Sequence, residues 1–306
     1  MQKVVKIDDN HIRLDRWLKE NISNNSYINI QKIIRTGQVR VGGRRKKSDY
    51  RVLTGDIIRI PPEYFDKKST LKQNTSNSSF SIEGMRIYED ESVLVINKPY
   101  GLSTQGGTGV NIHVDGLLKD INDEVNEKYR LVHRLDKHTS GVLLIAKRRE
   151  VAQFYMLAFK NKLVKKQYVA LVNGKPLENS GVISKDLEIK YQNKGDLERI
   201  EKKQDAQTTY KVLDTYEDII SFLEVHPLTG RKHQIRKHLS LIGNPVLGDK
   251  RYGEDKLIKG LDRKLYLHSQ KLVFPSFGNK KNIEVDAEMP DYFCNALKIL
   301  NINANG

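Results

Sequence analysis

His133-Arg134-Leu135-Asp136-Lys137-His138-Thr139-Ser140-Gly141 runs directly into Val142-Leu143-Leu144-Ile145-Ala146, so a charged cluster opens onto an unbroken apolar run. The apolar half reads as a strand over 141–146. A polar cluster at a strand mouth sits on a rigid edge, a common place for a site. On residue types alone the same cluster also fits a solvated loop. Working outward, strand signals recur at 93–96, 168–172, 208–213 and 221–225, whereas helical signals stand at 150–161 and 233–241. Strands this frequent, with few helices and no regular alternation of the two, predict an α+β domain rather than a doubly wound sheet.

The chain has 306 residues, enough for one large domain and a small one. With 38% hydrophobic and 30% charged residues it has the makings of a substantial core and a soluble surface. Its apolar runs fall far short of the roughly 18 residues a spanning helix needs. Met1-Gln2-Lys3-Val4-Val5-Lys6 lacks the apolar centre of a signal peptide, and Cys294 is the one cysteine, so a cytoplasmic protein without disulfides or a thiolate zinc site is expected.

The formal charge is +15, and it is uneven: residues 1–60 hold 14 Lys and Arg against 6 Asp and Glu, a net +8. Such a concentration attracts a polyanion. Within it, Leu14, Trp17, Leu18 and Ile22 share one helical face, with Arg13 and Arg16 largely off that stripe. A second helix is expected between residues 26 and 36, with Ile30, Ile33 and Ile34 inward and Lys32 and Arg35 outward; Gly37 stops it. Val39 and Val41 then alternate with Arg40, a Gly42-Gly43 turn leads to Arg44 and Arg45, and 53–60 closes the unit. This segment resembles an S4 domain, a small RNA-binding module, on the strength of Arg13-Leu14-Asp15, the 30–37 helix, Gln38-Val39-Arg40-Val41 and Leu53-Thr54-Gly55-Asp56. The resemblance implies RNA contacts from Arg13, Arg16, Lys32, Arg35, Arg40, Arg44 and Arg45. A flexible linker over 63–82, polar and without apolar period, separates domain 1–62 from domain 83–306.

Several chemistries drop out. Residues 101–109 are glycine-rich but lack the Lys-Ser/Thr of a phosphate-binding loop and the spacing of a dinucleotide fingerprint, so a mobile loop is the expectation. His233 and His238 are five apart with no accompanying Glu, which fits no metal helix. No Gly-x-Ser-x-Gly elbow is present. Cys294 reads as a buried, inert thiol. No cofactor and no metal is expected. A second dense segment, Gly230-Arg231-Lys232-His233-Gln234-Ile235-Arg236, offers helix-start N–H groups and cations to phosphate, or else is simply a basic helix face.

Together the two segments resemble the RluA family of pseudouridine synthases, which includes the RluC and RluD types. The pattern His-Arg-Leu-Asp-x-x-Thr-Ser-Gly is intact at 133–141. Asn97-Lys98-Pro99-Tyr100-Gly101, Lys166-Gln167-Tyr168, Pro227 to Arg231, His233 to Arg236 and Gly248 to Gly253 follow in family order. The S4-like segment ahead of them matches the RluC and RluD arrangement, and 47–56 leans to RluC; Gln105, Lys232 and Lys237 depart from the commoner residues. The resemblance implies a mixed, mainly antiparallel catalytic domain that isomerises uridine to pseudouridine in RNA, with large-subunit (23S) ribosomal RNA or its precursor as substrate, no cofactor and no membrane. An RluD-like or tRNA-directed specificity, or a non-catalytic assembly factor, are the alternatives; the oligomeric state is not legible, and a monomer is expected. Asp136 would supply the carboxylate, as nucleophile or in glycal formation. Arg236 would pair with it, and Tyr168 would pack on the uracil and help remove the C5 proton. Arg134 would fill the space left by the flipped base, while His133 and Thr139 hold the loop in shape.

Overall fold

A computed structural model describes residues 2–6, 9–22, 27–61, 80–107, 110–124, 128–192, 199–253, 258–279 and 281–303. The chain divides into two compact units, Met1–Ser79 and Phe80–Gly306.

The first unit contains β1 (Gln2–Val4), α1 (Leu14–Asn21), α2 (Tyr27–Arg35), β2 (Arg40–Val41) and β3 (Ile57–Arg59), its strands in the order β1-β3-β2. The apolar spacing of the two helices is realised: Leu14, Trp17, Leu18, Ile22, Ile30, Ile33 and Ile34 share one buried core with Val39, Val41 and Ile58. Trp17 is held further by its indole N–H on Asp9 Oδ2 at 3.2 Å. Arg16, Lys32, Arg35, Arg40, Arg44 and Arg45 are exposed. Arg13 differs: its guanidinium is engaged by buried Asp15, at 3.2 and 2.8 Å, so it braces the start of α1 as well as facing solvent. Arg45 lies across Gly37 and donates to the Thr36 carbonyl at 3.3 Å.

Most of the expected linker, 63–79, lies outside the described residues. Residues 80–82 belong to the second unit instead. Phe80, Ile82 and Met85 are apolar and pack into its core, and Ser81 caps the short helix α3 (Ile82–Met85) by accepting from Gly84 N–H.

The second unit continues with β4 (Arg86–Glu89), β5 (Val93–Lys98), α4 (Val114–Glu124), β6 (Arg130–Leu131), β7 (Ser140–Ala146), α5 (Arg149–Lys160), β8 (Lys165–Asn173) and β9 (Ser180–Ser184). A two-stranded pair, β10 (Leu187–Gln192) with β11 (Arg199–Gln204), precedes β12 (Gln207–Tyr216), β13 (Ile220–Pro227), α6 (Gln234–Leu241), β14 (Leu267–Pro275), β15 (Asn282–Asp286) and α7 (Asp291–Ile299). The main sheet runs β4-β5-β7-β14-β8-β13-β12-β9, with β6 added to β7 and β15 to β14. Its pairings are antiparallel except β7 with β14, so the fold is α+β with a mixed, mainly antiparallel sheet.

The unbroken apolar run of β7 has a direct cause. Successive side chains point to opposite faces, and both faces of this strand are covered. Val142, Leu144 and Ala146 pack with Val151 and Tyr155 of α5, while Leu143 and Ile145 pack with Val114 and Leu118 of α4. β8 repeats the plan: Val169 and Leu171 face Phe293 and Leu297 of α7, and Ala170 and Val172 face Ile235 and Leu239 of α6. Burial on both faces fixes the register, because a one-residue slip would exchange every side chain between cores. The strands are thus a rigid platform for the loops at their ends. Cys294, on α7, is half-buried rather than buried.

Candidate active site

The loop between β6 and β7 carries Asp136, and its neighbours fix each turn of it. Where β6 leaves β7 after Leu131, the N–H of Leu144 would lose its ladder partner; His133 Nε2 accepts it at 2.8 Å. The imidazole also stacks on Phe159 with 4.6 Å between centroids. Burial, with some help from Lys166, pushes its pKa down to about 3, so the ring stays neutral and keeps its acceptor. Leu135 is clamped on both sides by buried Thr104, whose hydroxyl donates to the Leu135 carbonyl at 2.7 Å and accepts the Leu135 N–H at 3.1 Å. Gly101 N–H reaches the Lys137 carbonyl. Residues 101–104 are therefore a buried brace for the Asp136 loop, not a mobile loop as composition suggested: Leu102, Ser103 and Thr104 are all buried.

The loop ends at Ser140 and Gly141, which pair in parallel with His268 and Ser269 of β14. His268 Nε2 donates to the Ala287 carbonyl at 3.0 Å, leaving Nδ1 to accept from the Ser140 hydroxyl at 2.8 Å. Gly141 has φ +112°, and a Cβ there would lie 2.1 Å from the Ser269 carbonyl oxygen, so only glycine fits. Ser269 in turn pairs with Tyr168 of β8. Gly141, Ser269 and Tyr168 thus stand side by side on three neighbouring strands, which brings Tyr168 to the Asp136 loop.

The facing wall comes from the segment before α6. Gln234, buried, holds it by four hydrogen bonds: its carbonyl oxygen accepts from the Thr229 hydroxyl and Arg231 N–H, and its amide donates to the Gln207 carbonyl and Thr208 hydroxyl. Lys166 Nζ donates to the Thr229 carbonyl at 2.8 Å. Between the walls lies a cavity of about 680 Å³ lined by Arg134, Asp136, Tyr168, Arg231, His233 and Arg236 among others.

Asp136 is the convergence point. Its side chain is 21% exposed, with Arg236 Nη1 3.9 Å from Oδ2 and His233 Nε2 3.6 Å from Oδ1. Arg236 does not turn its whole fork on Asp136. Nε and Nη2 grip Asp249, whose side chain is fully buried, at 2.6 and 2.7 Å. Asp249 also accepts the backbone N–H groups of Arg251 and Tyr252. Burial alone would raise the Asp249 pKa, but Arg236 and these two N–H groups together bring it below the ordinary carboxylate value. Lys98, completely buried, donates to the Pro99 and Leu102 carbonyls at 3.0 and 2.8 Å; burial drops its pKa to about 7, against the pull of Asp136. Burial, aided by the Asp136 charge and opposed by a hydrogen bond with Ser269, pushes the Tyr168 phenol up to about 12.

Two residues of the cavity wall occupy the left-handed region: Lys162, just past α5, with φ 59°, and His233, at the N-cap of α6, with φ 56°. That conformation costs a residue with a Cβ roughly 1–2 kcal/mol.

All four residues expected at the site, Asp136, Arg134, Tyr168 and Arg236, line this one cavity, with Arg134 exposed on its wall. Sequence reasoning assigned no role at the site to Asp249 or His233, although both lie in the segments that carry the resemblance.

A family model described as RNA pseudouridylate synthase matches residues 92–241. The chain is 35% identical over 298 residues to the ribosomal large subunit pseudouridine synthase C of Rickettsia bellii, covering 92% of this chain and 95% of that one. It is 33% identical to the protein of the same name from Vibrio parahaemolyticus, covering 90% and 89%. Among solved structures, human RNA pseudouridylate synthase domain containing 4 superposes with a TM-score of 0.60 at 26% identity, over 72% of this chain and 95% of that one.

Proposed function

We propose that this chain, which belongs to the RNA pseudouridylate synthase family and is an enzyme converting uridine to pseudouridine, acts on large-subunit (23S) ribosomal RNA in the manner of the synthase C relatives, with Asp136 as its catalytic carboxylate. The reaction breaks the C1′–N1 bond of a uridine, turns the base and rejoins it through C5, releasing the C5 proton. It needs a carboxylate next to a space that a flipped nucleotide can enter. The observation that carries the assignment is the placing of Asp136 between Arg236 Nη1 and His233 Nε2 in the cavity.

The other residues take roles from their surroundings. Arg236, anchored through Asp249, presents one N–H edge to Asp136, so an attractive cation faces the carboxylate without being free to leave with the substrate. Tyr168, its phenol pushed up to about 12 by burial, offers a ring for the uracil to pack on, a role its surroundings support better than removal of the C5 proton. Flipping the uridine costs a few kcal/mol of stacking. Arg134, exposed at the cavity wall, is suited to offset part of it, because a planar guanidinium stacks and binds phosphate together.

The first unit, read as an S4 domain, adds affinity for RNA through Arg16, Lys32, Arg35, Arg40, Arg44 and Arg45, together with Arg13, which also engages Asp15. The setting is cytoplasmic. No helix of the described residues is long and apolar enough to cross a membrane.

The test is tritium release from large-subunit RNA labelled at C5 of uridine. Wild-type protein should release tritium in step with pseudouridine formed, and Asp136→Asn should release none while still binding the RNA. Release by Asp136→Asn at the wild-type rate would remove the carboxylate from the mechanism.

A further inference from the structure

The geometry points to His233 as a positioning residue for the reaction, set by the Tyr252 hydroxyl so that its Nε2–H is aimed at Asp136 Oδ1. The inference rests on the reading of Asp136 as the catalytic carboxylate and deepens it.

Three observations carry it. His233 Nδ1 lies 2.9 Å from the Tyr252 hydroxyl, and on the other side of the ring Nε2 lies 3.6 Å from Asp136 Oδ1. A neutral imidazole has one donor and one acceptor nitrogen. A carboxylate can only accept, so the ring proton belongs on Nε2, the atom that faces Asp136, and Nδ1 is left to accept from the Tyr252 hydroxyl. Tyr252 is itself fixed by its N–H on Asp249, and its ring lies under the Arg236 guanidinium at 5.2 Å. One carboxylate, Asp249, therefore locates both neighbours of Asp136: Arg236 directly, and His233 through Tyr252.

The second observation is backbone strain. His233 holds φ 56° at the N-cap of α6, where it makes no side-chain capping bond. Glycine would adopt that conformation freely, so local helix geometry does not ask for an imidazole here. The strain is compensated where the side chain points, toward the cavity.

The third is charge. The groups facing the ring are Asp136, Arg236, Lys232 and Arg251, together with Tyr252. Burial and the three cations hold the imidazole below its ordinary pKa, against Asp136. His233 thus approaches Asp136 as a neutral donor, not as a second cation competing with Arg236. The two carboxylate oxygens face different donors, Oδ2 the arginine and Oδ1 the imidazole, which limits rotation about the Cβ–Cγ bond. The separation of 3.6 Å is slightly longer than a hydrogen bond, and catalytic contacts of this kind commonly tighten as substrate binds.

Single-turnover and steady-state kinetics on the full chain with a large-subunit RNA transcript test this. His233→Gly should lower kcat on the order of 100-fold, as misorientation of a reacting group does. KM should stay within about twofold, the thermal midpoint should not fall, and added imidazole should restore part of kcat. Tyr252→Phe, which keeps the ring under Arg236 and removes only the hydroxyl, should lower kcat about tenfold on the same reasoning, without a change in KM. Unchanged kcat in both variants would overturn the inference. So would a rise in KM alone, which would make His233 an RNA contact, or a lower melting temperature that accounts for the lost activity with no imidazole rescue. Asp136→Ala is assayed alongside: if it is inactive and His233→Gly is fully active, only this inference fails, whereas an active Asp136→Ala removes the reading beneath it.

Discussion

Arg236 grips Asp249 with two hydrogen bonds of 2.6 and 2.7 Å, and both side chains are withdrawn from solvent. The pair makes a fixed arm of Arg236, whose remaining nitrogen stands beside Asp136. Removing one member of a buried ion pair strands the other, at a cost of about 3–5 kcal/mol.

Asp249→Ala should therefore destabilise the second unit by about 3 kcal/mol or more and also lower kcat, because Arg236 is no longer anchored. Urea denaturation followed by far-ultraviolet circular dichroism, with activity measured well below the transition, separates the two effects. A variant as stable as wild type would show that the arm is not held as described. The depressed Asp249 pKa gives the sign of the pH effect: its stabilisation is complete above the ordinary carboxylate range and is lost as pH falls through the lower folded-state value.

His268 acts at a higher pH. It is fully buried between Ser140 and the Ala287 carbonyl, and burial pulls its pKa down to about 4. The unfolded chain takes up this proton near pH 6.5 and the folded one near 4, so stability should decline as pH falls from about 6.5 toward 4. At pH 5 the decline from this group is about 2 kcal/mol. Denaturation midpoints at pH 7.5 and 5 measure it, and His268→Gln should flatten the slope. An unchanged slope in that variant would place the acid sensitivity elsewhere.

Lys32 and Arg35 are both exposed on α2. If the first unit docks RNA, Lys32→Ala and Arg35→Ala should each weaken binding. Each should also reduce the slope of log affinity against log salt by about 0.7–0.9 for every phosphate left without its cation. Binding isotherms over a series of salt concentrations suffice. Slopes equal to wild type would take these two residues out of the RNA interface.

Much of this architecture is legible where one element carries its own pattern. The stripe Leu14, Trp17, Leu18, Ile22 and the run 141–146 announce their structures because each is buried along a single face or on both. α4 carries a weaker signal. Val114, Leu117, Leu118 and Ile121 recur at helical spacing, but the glycine-rich loop just before them draws the eye to a turn; in the fold they pack against β5 and β7. β14 has no clean period at all. It mixes buried His268 and Ser269 with apolar residues because its start lies beneath the Asp136 loop. In the site, motifs point to Asp136 and Arg236. Asp249 is hidden because nothing in a spacing of 13 residues from Arg236 implies contact; only the turn after α6 brings the carboxylate back to the guanidinium. His233 is visible as part of a basic segment, but its left-handed backbone and its approach to Asp136 belong to the folded chain alone.

If Asp136 in this cavity isomerises uridine in large-subunit ribosomal RNA, its product is written in the RNA of the cell. Pseudouridine mapping of total RNA, from cells with and without this protein and complemented by wild type or Asp136→Ala, reads that product site by site. Discrete large-subunit positions should lose pseudouridine without the protein and regain it with wild type but not with Asp136→Ala. Complementation by Asp136→Ala, or the absence of any position that changes, would contradict the proposed function.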